Sequence, residues 1–212
     1  MRDTRIALIP ILMLALPVSA APAIAGSGVT GVEVTPFGGY QVGGTLEFDD
    51  PSGGLTVADV RGSGDFGLFV DLLLGPDGAV GLFYTRQNTE LDTDPVAGSG
   101  DASMKIEYYH VEGFYQLGAG PVRPFVAASV GVTHLVPEGF DADSRLSASV
   151  GGGVRLFPAA HLGFRLEGRY YGTLIDWGGG DLCTHDGELC ARSRDNTYMD
   201  QVDFKAGLVV AF

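Results

Sequence analysis

From residue 29 onward the sequence alternates apolar and polar side chains in long runs, which clusters of Gly, Pro, Asp and Asn separate. A period of two is the pattern of a β-strand, because successive side chains point to opposite faces of a sheet. Eight such runs are present, and no segment of comparable length shows a helical stripe. They span residues 29–48, 66–74, 79–87, 105–117, 122–136, 145–157, 161–175 and 201–212.

The connections between these runs alternate between long and short. Long connections occupy residues 49–65, 88–103, 137–144 and 176–200, and short ones occupy 75–78, 118–121 and 158–160. Eight antiparallel strands would therefore carry every long connection at one end, which is the arrangement of bacterial outer-membrane barrels. Several runs also reach the ~9–11 residues that a tilted strand needs to cross a bilayer. The sequence predicts an all-β fold, an eight-stranded antiparallel up-and-down transmembrane β-barrel.

Charges indicate which face of each strand points inward. In the run 161–175, Phe164 and Leu166 share one face, while Arg165, Glu167 and Arg169 share the other. A charged side chain on a lipid-facing wall costs about 2–4 kcal/mol near the midplane, so we assign the charged face to the lumen. A soluble lipocalin-type barrel would show the opposite pattern. The residues assigned to a lumen charge network are Glu33, Asp71, Glu112, Arg155, Arg165, Glu167, Arg169, Asp203 and Lys205.

The interior of an eight-stranded barrel is narrow, with room for its own side chains or for one small ligand. Isolated ions in such an interior would be costly, so we expect these charges to pair across the lumen. A satisfied network would plug the barrel and give it a structural role. A narrow channel for small or hydrophobic solutes, lined by the same charges, remains the alternative.

The first 25 residues have the form of a secretory signal peptide. Arg2 and Arg5 make a basic start, residues 6–16 are apolar, and Ala23 and Ala25 form a small-x-small cleavage site. The apolar stretch is shorter than the ~20 residues that a membrane-spanning helix needs. We therefore predict a signal peptide over residues 1–25 and a barrel domain over residues 26–212.

The chain has a net charge of −13, from 13 basic and 26 acidic side chains, but a mean hydropathy of +0.19. Its 45% apolar content excludes a disordered polyelectrolyte, and its acidity argues against nucleic-acid binding. Many acidic residues, such as Asp49, Asp65, Asp92 and Asp94, fall in the long connections, where we expect solvated loops. Their spacing is not that of a calcium loop, so we predict no metal site and no cofactor.

The only two cysteines, Cys183 and Cys190, lie in the longest connection. Two closely spaced cysteines in an exported protein indicate a disulfide. Such a clip would order the loop tip, which is a natural position for contact with an extracellular ligand.

Catalysis on lipid would need a nucleophile, a base and an orienting acid near the membrane rim. His110 and His134 are the candidate bases, but no motif places a serine hydroxyl beside either of them. We therefore predict no catalytic residues and no enzyme activity, with an outer-membrane lipid-modifying enzyme as the remaining alternative.

Aromatic residues near the strand ends, including Tyr84, Tyr108, Tyr109, Tyr170 and Tyr171, indicate interfacial belts. The last strand ends on Phe212, preceded on the same face by Val210, Leu208 and Phe204.

With this ending, the chain resembles the small outer-membrane β-barrel families of the general type of the OmpA transmembrane domain and OmpW. The resemblance implies a location in the bacterial outer membrane, with its lipids and lipopolysaccharide as partners. It also implies that Phe204, Leu208, Val210 and Phe212 form the signal that the barrel assembly machinery recognises. The expected role is structural or in surface interaction.

Overall fold

The computed structural model describes residues 28–49, 55–93, 102–138, 142–174, 182–183, 190–191 and 198–212. The predicted signal peptide lies outside these residues. The strands found in them, in chain order, are β1 (Gly31–Val42), β2 (Thr45–Asp49), β3 (Leu55–Val60), β4 (Ser63–Leu73), β5 (Gly78–Thr93), β6 (Ala102–Gln116), β7 (Val122–Pro137), β8 (Asp143–Ala159), β9 (Leu162–Leu174), β10 (Leu182–Cys183), β11 (Cys190–Ala191) and β12 (Tyr198–Ala211). Among the described residues, no helix is long and apolar enough to cross a membrane.

Eight of these strands close into a ring. The ring runs β1, β4, β5, β6, β7, β8, β9, β12 and back to β1, and every neighbouring pair is antiparallel. Strands that follow one another along the ring also follow one another along the chain, and the β1–β12 pairing closes it. The predicted eight-stranded antiparallel barrel is confirmed.

The prediction of one continuous strand over residues 29–48 is wrong. Gly43 and Gly44 have φ values of 90° and 108°, in the left-handed region, and they separate β1 from β2. The predicted loop 49–65 is also partly wrong, because it contains β3 and the start of β4. Strands β2 and β3 form a hairpin that extends the wall beyond the ring.

Other strands are likewise longer than predicted at the end of the barrel that carries the long connections. Strand β5 ends at Thr93 rather than at the predicted residue 87. The added residues pair with β3 on one side and with β6 on the other. The short strands β10 and β11 pair with each other, and Cys190 of β11 pairs with Asp49 of β2. The wall therefore rises above the ring at this end.

Side chains alternate between wall and lumen as the charges indicated. In β12, Phe204 is 64% exposed on the outer wall, while the next residue, Lys205, is 4% exposed and points inward. Val130 on β7 and Leu82 on β5 are each 63% exposed on the same outer surface. The apolar residues therefore cover the outside of the barrel, and the buried positions form the lumen.

Candidate functional site in the lumen

Strand β6 runs along the whole lumen and shows how its chemistry changes from one end to the other. Its inward residues, starting from the end with the short connections, are Gln116, Phe114, Glu112, His110, Tyr108, Ile106 and Met104. All seven are buried. The lumen thus passes from charged groups through neutral polar groups to apolar ones, and each level has its own set of contacts.

Two arginines and two glutamates form the centre of the charged level. Arg165 donates from Nε to Glu167 at 2.7 Å and from Nη2 to Glu112 at 3.1 Å. Arg169 donates to the same two carboxylates, at 2.6 Å to Glu112 Oε2 and 2.5 Å to Glu167 Oε1. Arg165 also lies 3.4 Å from Asp71 Oδ2. Each glutamate therefore bridges both guanidinium groups, and we call these five residues the central ion cluster.

Glycine on a neighbouring strand makes room for one of these charges. Asp71 of β4 is the Cα partner of Gly81 on β5. A Cβ atom at Gly81 would lie 2.3 Å from Asp71 Oδ1 and 2.5 Å from the Val70 carbonyl oxygen, and the second contact is with backbone that cannot turn away. A chain with 33 glycines can thus hold long charged side chains in a narrow barrel.

Aromatic rings separate the guanidinium groups from the rest of the lumen. The guanidinium carbon of Arg165 lies 3.9 Å from the ring centre of Phe69, and that of Arg169 lies 4.8 Å from Phe83. Phe37 packs on Phe69 at 4.7 Å between ring centres. Cations over aromatic faces gain an electrostatic attraction that increases when water is excluded.

The other predicted charges form two flanking groups. Towards the short connections, Arg155 pairs with Glu33 and donates to Gln116 Oε1 at 2.6 Å. Lys205 of β12 pairs with Asp203 of the same strand and lies 3.5 Å from Asp65 Oδ2 of β4. The structure therefore brings all nine predicted charges into the lumen, each at most 4% exposed.

Asp65 is a lumen residue that the sequence analysis placed in an exterior loop. It lies in β4, is 5% exposed, and accepts a hydrogen bond from Thr85 at 2.8 Å. The sequence did contain a signal for this position. Asp65 and Asp71 are an even number of residues apart, so both lie on one face of a strand. The loop assignment failed because the two glycines Gly62 and Gly64 beside it suggested a break.

The expectation that no serine hydroxyl lies beside His110 or His134 is wrong. His110 Nδ1 and Nε2 each lie 2.7 Å from a serine Oγ, of Ser129 and Ser147 respectively. These serines come from β7 and β8, so no local motif could reveal the contact. Both ring nitrogens of the buried His110 are occupied by hydroxyl groups.

A layer of neutral polar groups follows the charges. Gln41 donates to Gln201 Oε1 at 2.9 Å, and Gln201 donates to Gln87 Oε1 at 3.2 Å. Tyr108 donates to the same Gln201 oxygen. We call Gln41, Gln87, Gln201 and Tyr108 the amide layer. Tyr108 and Tyr171 are fully buried in the lumen, so their assignment to an interfacial belt is wrong.

Above the amide layer, apolar side chains share the lumen with the ion pair of Arg145 and Asp143, which lies beside Leu135. Ile106, Leu135 and Met199 are completely buried, and Met104 and Val60 are almost so. They come from β3, β6, β7 and β12, and we call them the apolar cap. The sequence analysis did not assign these five residues to the lumen and missed this level.

Comparison with known proteins agrees with this architecture. The family model described as outer membrane protein beta-barrel domain matches residues 11–212. The chain belongs to that family. Its membership places the protein in the bacterial outer membrane. Barrels of this membrane carry their long connections outside the cell and their short ones in the periplasm, and we name the two ends of this barrel by that expectation.

Two solved structures are similar to this family member over its whole barrel. The Neisserial surface protein A shares 14% identity with a TM-score of 0.56, over 88% of this chain and 100% of the other. The outer membrane protein OprG from Pseudomonas aeruginosa shares 14% identity with a TM-score of 0.59, over 88% and 98%. These likenesses show the fold alone. No curated protein sequence matches the chain.

The remaining predicted residues are outward side chains of β12 and of the residue that follows it, and the two cysteines. Phe204, Leu208 and Phe212 are exposed on the outer wall, and Val210 is partly exposed on the same face. Their role as an assembly signal stays a prediction. Cys183 and Cys190 are Cα partners in the β10–β11 pair, and antiparallel partners have the Cα spacing that a disulfide requires. The disulfide also stays a prediction.

The second histidine of the sequence analysis lies on the outer wall. His134 Nδ1 is 2.9 Å from Ser144 Oγ, and Glu107 is the Cα partner of His134 on the other side. The Glu107 carboxylate accepts from Tyr84 at 2.9 Å and lies 3.7 Å from Lys105 Nζ. In the described part of the chain, no cluster of three or more His, Cys, Asp or Glu could hold a metal ion.

Proposed function

We propose that this chain is a structural and surface-interaction protein of the outer membrane, with a lumen closed to solutes. The observation that carries the proposal is the filling of the lumen at two levels of different chemistry. The central ion cluster occupies the periplasmic half, and the apolar cap occupies the extracellular end. An eight-stranded barrel is narrow enough for side chains to fill it, so either level suffices to block the path.

Conductance of the reconstituted barrel tests this proposal against a narrow channel. We expect no stepwise current across a planar bilayer from the unaltered protein. The triple variant Ile106→Ala, Leu135→Ala and Met199→Ala opens the cap but leaves the ion cluster, and we expect it to stay closed as well. Stepwise currents from the unaltered protein would overturn the proposal, and currents from the cap variant would show that the cap is the only seal.

A surface role rests on the extracellular end of the barrel. The β10–β11 pair that carries the two cysteines is joined through Cys190 and Asp49 to the β2–β3 hairpin. Two of the long connections are therefore linked by backbone pairing. Replacing both cysteines by alanine should increase protease cleavage in residues 176–200 if a disulfide orders this end. Unchanged cleavage would argue against the disulfide and against an ordered contact surface there.

A lipid-modifying enzyme is the second candidate, and one observation favours it. Ser144 and His134 are in hydrogen-bond contact on the outer wall, where outer-leaflet lipid is within reach. Against it, the Glu107 carboxylate that could orient the histidine is engaged by Tyr84 and Lys105. Mass spectrometry of lipid A from expressing cells decides the question. We expect no mass change, whereas loss of an acyl chain that disappears in Ser144→Ala would establish the enzyme.

A further inference from the structure

A row of polar residues crosses the outer wall on four adjacent strands. Arg86, Glu107, His134 and Ser144, on β5, β6, β7 and β8, are successive Cα partners. On the periplasmic side of the row, the next outward residues are Tyr84, Tyr109, Val132 and Leu146. The row therefore marks the extracellular border of the apolar band on this flank, where the headgroups of outer-leaflet lipids lie.

Exposed basic side chains concentrate on the same flank. Arg86 lies in the row, Lys105 lies one outward position above it on β6, and Arg61 pairs with Glu90 of β5. The described basic residues of the lumen are all nearly fully buried, and Arg123 lies at the periplasmic end. Among the residues that the structure describes, the basic side chains at the extracellular end of the outer wall are therefore Arg86 on β5, Lys105 on β6 and Arg61, which directly follows β3.

The donors of these cations point away from the apolar band. Arg86 donates from Nε and Nη2 to Asn88 Oδ1, at 3.1 and 3.0 Å, and Asn88 lies further towards the extracellular end. A long basic side chain at a membrane border extends in this way to keep its charge among headgroups. Arg86 forms no ion pair with any other described residue, and Lys105 uses one contact, at 3.7 Å, to Glu107. Arginine has five N–H donors and lysine three, so both retain donors for a ligand.

Two grooves lie on the outer wall, one on each side of the row. The extracellular groove has a volume of about 590 Å³, and its lining includes the cations Arg61 and Lys105, the carboxylates Glu90 and Glu138, and the polar residues Asn88 and Ser103. Glu90 is paired with Arg61, so Lys105 is the cation of this groove that faces Arg86 of the row. The outward lining residues Asn88, Glu90 and Ser103 are exposed, so this groove opens on the outer surface. Its donors are of the kind that binds phosphate oxygens.

The second groove, of about 400 Å³, lies on the periplasmic side of the row and is apolar. It is lined by Leu82, Tyr109, Val111 and Val130, and Gly131 forms part of its floor. A Cβ atom at Gly131 would lie 2.1 Å from the Tyr109 carbonyl oxygen, so the wall can be this thin only with glycine there. The nearest lining residues of the two grooves on β5 are Tyr84 and Asn88, four positions or about 13 Å apart.

We propose that this flank binds a phosphorylated glycolipid of the outer leaflet, the lipid A part of lipopolysaccharide. Arg86 and Lys105 bind a phosphate, and an acyl chain occupies the apolar groove. The inference names a partner for the proposed surface role, and it depends on the membrane placement rather than on a closed lumen.

Binding of defined lipids to the purified barrel in detergent tests the proposal by native mass spectrometry. The probes are bisphosphorylated lipid A, lipid A with both phosphates removed, and the phosphorylated disaccharide without acyl chains. We expect the first to bind at least about tenfold more tightly than either of the others, since charged hydrogen bonds and buried chains each contribute a kilocalorie or more. Equal binding of lipid A with and without phosphates would overturn the proposal.

The double variant Arg86→Gln and Lys105→Gln should lower the affinity for bisphosphorylated lipid A about tenfold or more. Arg123→Gln is the matched control, because it removes a partly exposed cation from the opposite, periplasmic end. We expect unchanged binding for the control, and equal losses in both variants would show that only overall charge matters. Heat-modifiable gel mobility confirms that each variant is folded. Because the bilayer conductance of the same samples is read separately, an open lumen would contradict the proposed function without affecting this inference.

Discussion

The two halves of the lumen close the same barrel with opposite chemistry. In the periplasmic half, Arg165 and Arg169 share Glu112 and Glu167, and Phe69 and Phe83 cover the guanidinium groups. In the extracellular half, the glutamines of the amide layer give way to aliphatic and methionine side chains. The first half depends on partners of opposite charge, and the second depends on close packing.

This difference changes what a substitution does. A buried ion pair adds little to stability beyond an apolar pair of equal size, but removing one partner leaves an uncompensated charge. A packed apolar residue instead loses contacts in proportion to the cavity that is left. The following measurements examine each half in turn.

The largest effect is expected from Arg169→Met in the central ion cluster. Glu112 and Glu167 would each keep only Arg165 as a partner, and Ser149 would lose a donor at 3.0 Å. We expect the free energy of unfolding in lipid vesicles to fall by about 3–5 kcal/mol in a urea titration. Arg123→Met is the control at the partly exposed periplasmic rim, where the arginine has no carboxylate partner among the described residues, and it should cost clearly less. An unchanged midpoint for Arg169→Met would show that water reaches the cluster.

Ile106→Ala tests the apolar cap and should cost about 2–5 kcal/mol, because the side chain is fully buried. Val111→Ala, five residues along on the lipid-facing side of the same strand, is the matched control. We expect a smaller loss there, since lipid chains can fill the space left by the methyl groups. Similar losses at both positions would mean that the cap is loosely packed.

Gln201→Leu tests the boundary between the two halves. The substitution removes the acceptor of Gln41 and Tyr108, which leaves their buried donors without this partner. The expected loss is about 1–3 kcal/mol in the same titration. The combined variant Gln41→Leu and Gln201→Leu should recover part of that loss, and a further decrease would contradict the assignment of the loss to unpaired donors.

Salt should have the smallest effect. Raising NaCl from about 0.1 to 1 M shortens the screening length from about 10 to 3 Å, but it acts weakly on buried pairs. Only exposed pairs such as Arg61–Glu90 and Lys105–Glu107 should respond, by less than about 1 kcal/mol together. A loss of several kcal/mol would show that ions enter the periplasmic half.

Alternation and charge predicted much of the barrel. The charged parity of β9 and β12 placed Arg165, Glu167 and Lys205 inside, because a charge on the lipid face is too costly. The same reasoning missed Asp65, Ile106 and Met199. Glycines beside Asp65 suggested a turn, and an inward apolar residue gives no signal in a pattern that assigns apolar side chains to lipid.

The sequence by itself determined the eight strands, the side of each strand that faces lipid and the end that carries the long connections. These features follow from local periodicity and from the cost of charge in a bilayer. Only the tertiary structure decided which charges meet, since Arg155 and Glu33 lie on opposite arcs of the ring and pair across it. It also placed Arg86, Glu107, His134 and Ser144 in one row, because strand register is a property of the closed barrel and not of any single strand.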